Sequence, residues 1–162
     1  MIINLLVILV LLIFVLSSIK TLKPWEKGVI LKSGKYLMTT EKRIVFIIPI
    51  IDTVVRVDMR EQVADLSPLK VTTKDGRTLN VKAEVHYKVS NPEDFISCTP
   101  DIKSAITTFI TTELENLTGE MSSQEFARSE EVVASTLQEH LADAASEWGI
   151  EILKVKLQQE EN

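Results

Sequence analysis

The residues best placed to do chemistry are Asp52, Arg56, Asp58 and Arg60, which follow an apolar block in the stretch IVFIIPIIDTVVRVDMR, residues 44–60. A carboxylate beside an arginine at the lip of an oily cleft could act as a general acid or base. The spacing argues against it. Val55, Val57 and Met59 alternate strictly with Arg56, Asp58 and Arg60, and successive side chains of a strand point to opposite faces. The charges are therefore expected on the outward face, without the burial or special neighbour that makes a carboxylate a useful acid or base.

The remaining reactive groups are one thiol, Cys98, and two imidazoles, His86 and His140. A single cysteine forms no internal disulfide, and no Cys/His spacing suits a metal, so zinc, haem and iron–sulfur centres are set aside and no cofactor is expected. His86 falls on the polar side of an alternating segment with no acid or thiol near it in sequence, which predicts a solvent-facing ring. Cys98 follows a short apolar helix and reads as a buried or half-buried structural thiol. The five glycines are scattered, so there is no phosphate loop, and neither a Gly-x-Ser-x-Gly elbow nor a His-Glu-x-x-His pair occurs. The reading is of a protein that is not an enzyme.

The chain has 162 residues and a formal net charge of −5, which fits one moderate domain plus an appendage and excludes a basic nucleic-acid binder. The appendage is residues 2–19, IINLLVILVLLIFVLSSI, which is uncharged and would extend about 27 Å as a helix, close to the roughly 30 Å hydrocarbon core of a bilayer. No basic residue precedes it and no small-residue cleavage site follows, so it reads as a retained anchor over residues 1–20 and not as a signal peptide. Lys20, Lys23 and Lys27 come after it, which by the positive-inside rule predicts a cytoplasmic body, with the extracytoplasmic face as the alternative.

Beyond Pro24 the pattern becomes β-rich. Ser33-Gly34 marks a hairpin turn within 29–38, and 44–48 is a strand closed by Pro49. A strand over 69–73, the turn Lys74-Asp75-Gly76 and a long alternating strand over 78–89 make a second hairpin. Asn91-Pro92-Glu93-Asp94 then opens a short helix, and Thr99-Pro100-Asp101 opens a longer one. Its stripe is Ile102, Ala105, Ile106, Phe109, Ile110, Leu114 and Leu117, ending at Gly119. Ser122-Ser123-Gln124-Glu125 fits a capping box opening a further turn, and Ser129 is expected to start the last helix, with Val133, Leu137, Leu141, Ala144 and Trp148 on one face and Gly149 at its end. Both stripes should pack on a sheet. Residues 150–157 form the last strand and 158–162 a charged tail, so the body, residues 21–157, is α+β, with a β-rich part over about 25–66 and an α+β part over 67–157.

The ordered set of an N-terminal apolar span, WEKGVILKSGKY, FIIPIIDTVVRVDMREQ, the TKDG turn leading into LNVKAEVHYKVSNPEDF, and EWGIEILKVKL resembles the SPFH, or band 7, domain of stomatins and prohibitins. The resemblance covers residues 25–157. It implies a membrane-associated scaffold without catalysis of its own, built of two subdomains and assembling as homo- or hetero-oligomers that organise membrane patches and restrain membrane proteins such as proteases or channels. On this basis Leu5, Leu9, Leu12, Phe14, Leu16, Phe46, Ile47 and Ile48 are expected to contact the bilayer, and Arg56, Asp58 and Arg60 to contact a neighbouring subunit. The chain departs from the family where Thr40-Glu41-Lys42-Arg43 replaces the usual Pro-Gly. It also departs after Leu157, where only QQEEN follows in place of a long coiled-coil helix, so small clusters are expected more than large rings. The alternative is an adaptor that docks one membrane protein without oligomerising.

Overall fold

The computed structural model describes residues 9, 12, 13, 18–47, 52–98 and 101–160. The chain divides into two compact units, Met1–Met59 and Arg60–Asn162. Its class is mixed α and β with antiparallel sheets, as the alternating and helical periods predict.

The first unit contains β1 (Ile19–Thr21), β2 (Glu26–Lys32), β3 (Lys35–Thr40), β4 (Ile44–Phe46) and β5 (Asp52–Asp58). β1 pairs with β4, Ile19 lying opposite Phe46, and β2 is the middle strand of a sheet ordered β3-β2-β5. The predicted Ser-Gly turn joins β2 to β3 with φ of 50° at Ser33 and 78° at Gly34, the two positive values that a tight hairpin of matching twist requires. Leu22, Ile30, Val45 and Ile47 form a buried cluster, with Val54 packed against it. Residue 19 therefore belongs to a strand, not to the end of a helix, because its backbone finds a partner in β4. Leu9, Leu12 and Ile13 are helical and more than half exposed. The rest of the predicted span, with Leu5, Phe14 and Leu16, lies outside the described residues, and among those described no helix is long and apolar enough to cross a membrane.

The second unit is built on β8 (Thr78–Val89), whose bounds match the alternating run in the sequence. β7 (Leu69–Thr72) pairs with residues 78–81, β6 (Gln62–Asp65) with 84–87 and β9 (Ile150–Glu160) with 80–89, so β8 gives one edge to the two short strands and the other to β9. The boundary between units falls before β6, which the sequence reading assigned to the β-rich part but which belongs to the second sheet. β9 runs three residues past Leu157, because its backbone continues to pair up to Glu160 opposite Asn80, so the expected tail is partly strand.

Three helices follow β8: α1 (Pro92–Cys98), α2 (Ile102–Glu120) and α3 (Ser123–Glu147). α2 buries Ile106, Ile110, Leu114 and Thr118, and α3 buries Val133, Leu137, Leu141 and Ala145 along with Phe126, each column stepping by four residues. Thr118 takes the place expected for Leu117, its hydroxyl donating to the Leu114 carbonyl at 2.7 Å so that it can be buried without an unpaired donor. Gly119 does not stop α2. The helix runs on to Glu120 and closes where the Met121 N–H donates to the Thr118 carbonyl. The capping box at Ser122 and Glu125 is present, and Ser129 marks the start of the longer helical segment: its φ of −116° and ψ of 17° are non-helical, its hydroxyl donates to the Glu125 carbonyl at 2.6 Å, and the two segments of α3 meet there at a kink.

Candidate functional site

A concavity of the second unit follows from how α2 and α3 are registered. With the column 106, 110, 114, 118 turned inward, Ala105, Thr108, Phe109 and Thr112 occupy the flank of α2. α3 ends at Glu147, where the Trp148 N–H donates to the Ala145 carbonyl at 3.0 Å. Gly149, at φ 69°, then turns the chain into β9. This holds the Trp148 ring against the edge of Phe109, with centroids 6.4 Å apart and planes at 83°, a favoured aromatic geometry.

The result is an open groove of about 700 Å³ with apolar walls. Asp101 stands near the start of α2, where its carboxylate accepts the Ser104 N–H at 3.2 Å. Glu113, farther along, pairs with His140 of α3 at 3.2 Å. An apolar or aromatic side chain of a partner suits these walls, with a cation toward either carboxylate. The groove brings together no nucleophile and base, and among the described residues no three His, Cys, Asp or Glu side chains are grouped to hold a metal ion. Sequence reasoning placed Phe109 and Trp148 in core stripes. The signal it passed over is that both stand off the strict four-residue columns.

Arg56 is exposed on β5 opposite Gly28, Val57 between the charges is buried, and Asp58 ends the strand half-buried, so the alternation holds as far as the strand does. Arg60 is exposed and belongs to the second unit. Ile47 is only 7% exposed within its unit's core, and Ile44 is 56% exposed. Ile48 lies outside the described residues.

His86 is not solvent-facing. Strand pairing brings Glu61 to it, with Oε1 at 2.7 Å from Nδ1; its side chain is 19% exposed, and its Nε2 is buried without a partner. The neighbouring outward positions pair likewise across strands, Lys82 with Asp65, Lys156 with Glu84 and Lys88 with Glu151 at 3.5, 3.7 and 3.0 Å. Such exposed pairs set register more than they stabilise. Cys98 is exposed at the end of α1, contrary to the expectation of a buried thiol, because the short helix turns its last residues outward.

The family model for the SPFH domain / Band 7 family matches residues 20–159. The chain belongs to the SPFH/Band 7 family. It is 38% identical over 158 residues to an uncharacterised protein of Methanothermobacter thermautotrophicus, covering 98% of this chain and 50% of that one. Mouse stomatin is 31% identical over 141 residues, 86% of this chain and 50% of stomatin. A Band 7 protein of Drosophila melanogaster is 31% identical over 140 residues, 85% of this chain and 28% of the relative. The chain thus spans half the length of the archaeal relative and of stomatin. In this SPFH domain the WEKGVILKSGKY motif builds the β2–β3 hairpin, TKDG the turn into β8, and EWGIEILKVKL sets Trp148 and β9 in place. Membership is consistent with a membrane scaffold.

Proposed function

We propose that the chain is a membrane-anchored SPFH scaffold without catalysis of its own, which self-associates or joins homologues and holds membrane proteins, such as a protease or a channel, in organised patches. Family membership and the uncharged run over residues 2–19 support the anchoring. Leu5, Leu9, Leu12, Phe14 and Leu16 are its bilayer contacts, and the body lies on the cytoplasmic face. Arg56, Asp58 and Arg60 are its subunit contacts.

The observation that carries the holding role is the groove between Phe109 and Trp148, an apolar concavity suited to a side chain of a partner and not to a reaction. A photo-crosslinker at Thr108, activated in native membranes, should give adducts with a second membrane protein that fall at least about tenfold in Phe109→Asp, the loss of one buried anchor. Adducts unchanged by Phe109→Asp would remove the groove from the docking role. If residues 56–60 crosslink only to foreign proteins and never to a second copy, the chain is an adaptor and not a scaffold.

A further inference from the structure

The β2–β3 hairpin carries a feature that folding of its own unit does not explain. Tyr36, Leu37 and Met38 follow one another along β3 and are 37%, 52% and 49% exposed. β3 is an edge of its sheet, so its outer side pairs with no further strand among the described residues. The register slips between Ile30 and Leu31, passing from Ile30 opposite Met38 to Leu31 opposite Tyr36, so Leu37 is the extra residue of a bulge. Three bulky apolar residues exposed in a row are a liability in water unless something covers them.

Charge says what that is. Residues Met1–Met59 hold eight Lys or Arg against four Asp or Glu, a net of +4, whereas Arg60–Asn162 holds ten against nineteen, a net of −9. The excess gathers around the hairpin. Lys32 and Lys35 flank the Ser33-Gly34 turn at the tip, Lys42 and Arg43 follow β3 at the base, and the acids beside them are Glu41, paired to Lys27 at 2.8 Å, and Asp52, opposite Lys32 in the sheet. An apolar edge strand with cations at its tip and at its base fits an anionic lipid surface, which takes up apolar side chains and cations together. Lysine stems can lie along acyl chains with their ammonium groups among phosphates, and tyrosine favours that same boundary.

We propose that the β2–β3 hairpin is a second membrane contact, separate from the anchor, which inserts Tyr36, Leu37 and Met38 into the headgroup boundary of an anionic lipid surface, held by the cations at its tip and base. The proposal rests on the membrane reading above and adds a lipid preference to it.

The test uses the full chain reconstituted into vesicles of phosphatidylcholine alone or with about one third phosphatidylglycerol, enough to set up an attractive surface potential. In a Cys98→Ser background, Leu37→Cys carries a fluorophore and the vesicles carry a lipid with a nitroxide near its headgroup. Quenching should be several-fold stronger in the anionic vesicles. It should fall to the neutral level in Lys32→Glu/Lys35→Glu and at about 0.5 M salt, where surface attraction is screened. Circular dichroism like the parent's shows that the charge-reversed hairpin still folds. Equal quenching in both lipids overturns the proposal, as does no quenching in chains that float with both. Disulfide-linked dimers of the unlabelled Leu37→Cys chain, in place of quenching, would assign the tip to a second copy and also overturn it. If the chain floats with neither vesicle, the membrane reading itself has failed, and this inference with it.

Discussion

Single residues hold the second unit together at two junctions. Gly149 accepts the N–H groups of Ser90 and Asn91 at 2.9 and 3.0 Å, joining the end of β8 to the start of β9, and sits at φ 69°. A Cβ there would press on the Asn91 carbonyl and come within 2.7 Å of the Phe95 nitrogen. Gly149→Ala should therefore cost at least about 1–3 kcal/mol, read from a denaturant midpoint; a cost below about 0.5 kcal/mol would contradict the close approach. At the other junction Asp75, in the β7–β8 turn, accepts from the Thr73 hydroxyl, the Ser123 hydroxyl at 2.8 Å and the Ser123 N–H at 3.3 Å, tying the turn to the start of α3. Its carboxyl is held below the usual 3.8, first by Thr73 and then by Ser123. Glu125, in the capping box, is held below 4.5 by the Ser122 N–H and hydroxyl.

A carboxylate whose folded value is depressed contributes stability that is present above its unfolded value and is lost as pH falls through the folded one. The protein should lose stability below about pH 4.5, and Asp75→Asn should be less stable than the parent at neutral pH but converge with it in acid. Thermal melts across that range check this; a gap that does not change with pH would refute the role given to the charge. Sequence could name Asp75 as a turn former but not as a cap for a helix 48 residues on, since that contact exists only once β7 and α3 have met.

At the scale of elements, legibility followed local chemistry. β8, the Ser33-Gly34 turn, the capping box at Ser122 and the stop at Gly149 are each encoded within a few residues, and each is where the pattern put it. Gly119 carries a stop signal, yet α2 ends one residue later at Glu120, while Ser129, read as a helix start, sits at the kink where the two segments of α3 meet. His86 and the Phe109–Trp148 groove could not be read, since their partners lie 25 and 39 residues away and are set by strand register and helix packing.

The edge of β9 shows the same dependence. Leu153 is the extra residue of a bulge opposite His86 and Tyr87, and Gln138 of α3 reaches it, donating to the Leu153 carbonyl at 3.3 Å and accepting the Val155 N–H at 3.4 Å. A side-chain amide thus stands in for a further strand where the edge would otherwise invite one. Gln138→Ala should lower stability by about 1 kcal/mol and increase self-association by light scattering. If scattering is unchanged, Gln138 does not guard the edge.

For the whole molecule, charge is divided between the units. The first unit is basic and exposes Tyr36, Leu37 and Met38 on β3, while the second is acidic and carries the groove and the ion-paired sheet. Family membership fixes the domain but not the assembly, and the chain spans only half of stomatin. The most direct test of the central claim is native electrophoresis of particles gently extracted from membranes that contain the chain. The account predicts particles larger than a monomer that contain several copies or another SPFH protein, shifting toward monomer in Arg56→Gln/Asp58→Asn/Arg60→Gln. Monomer-sized particles free of SPFH partners would contradict it.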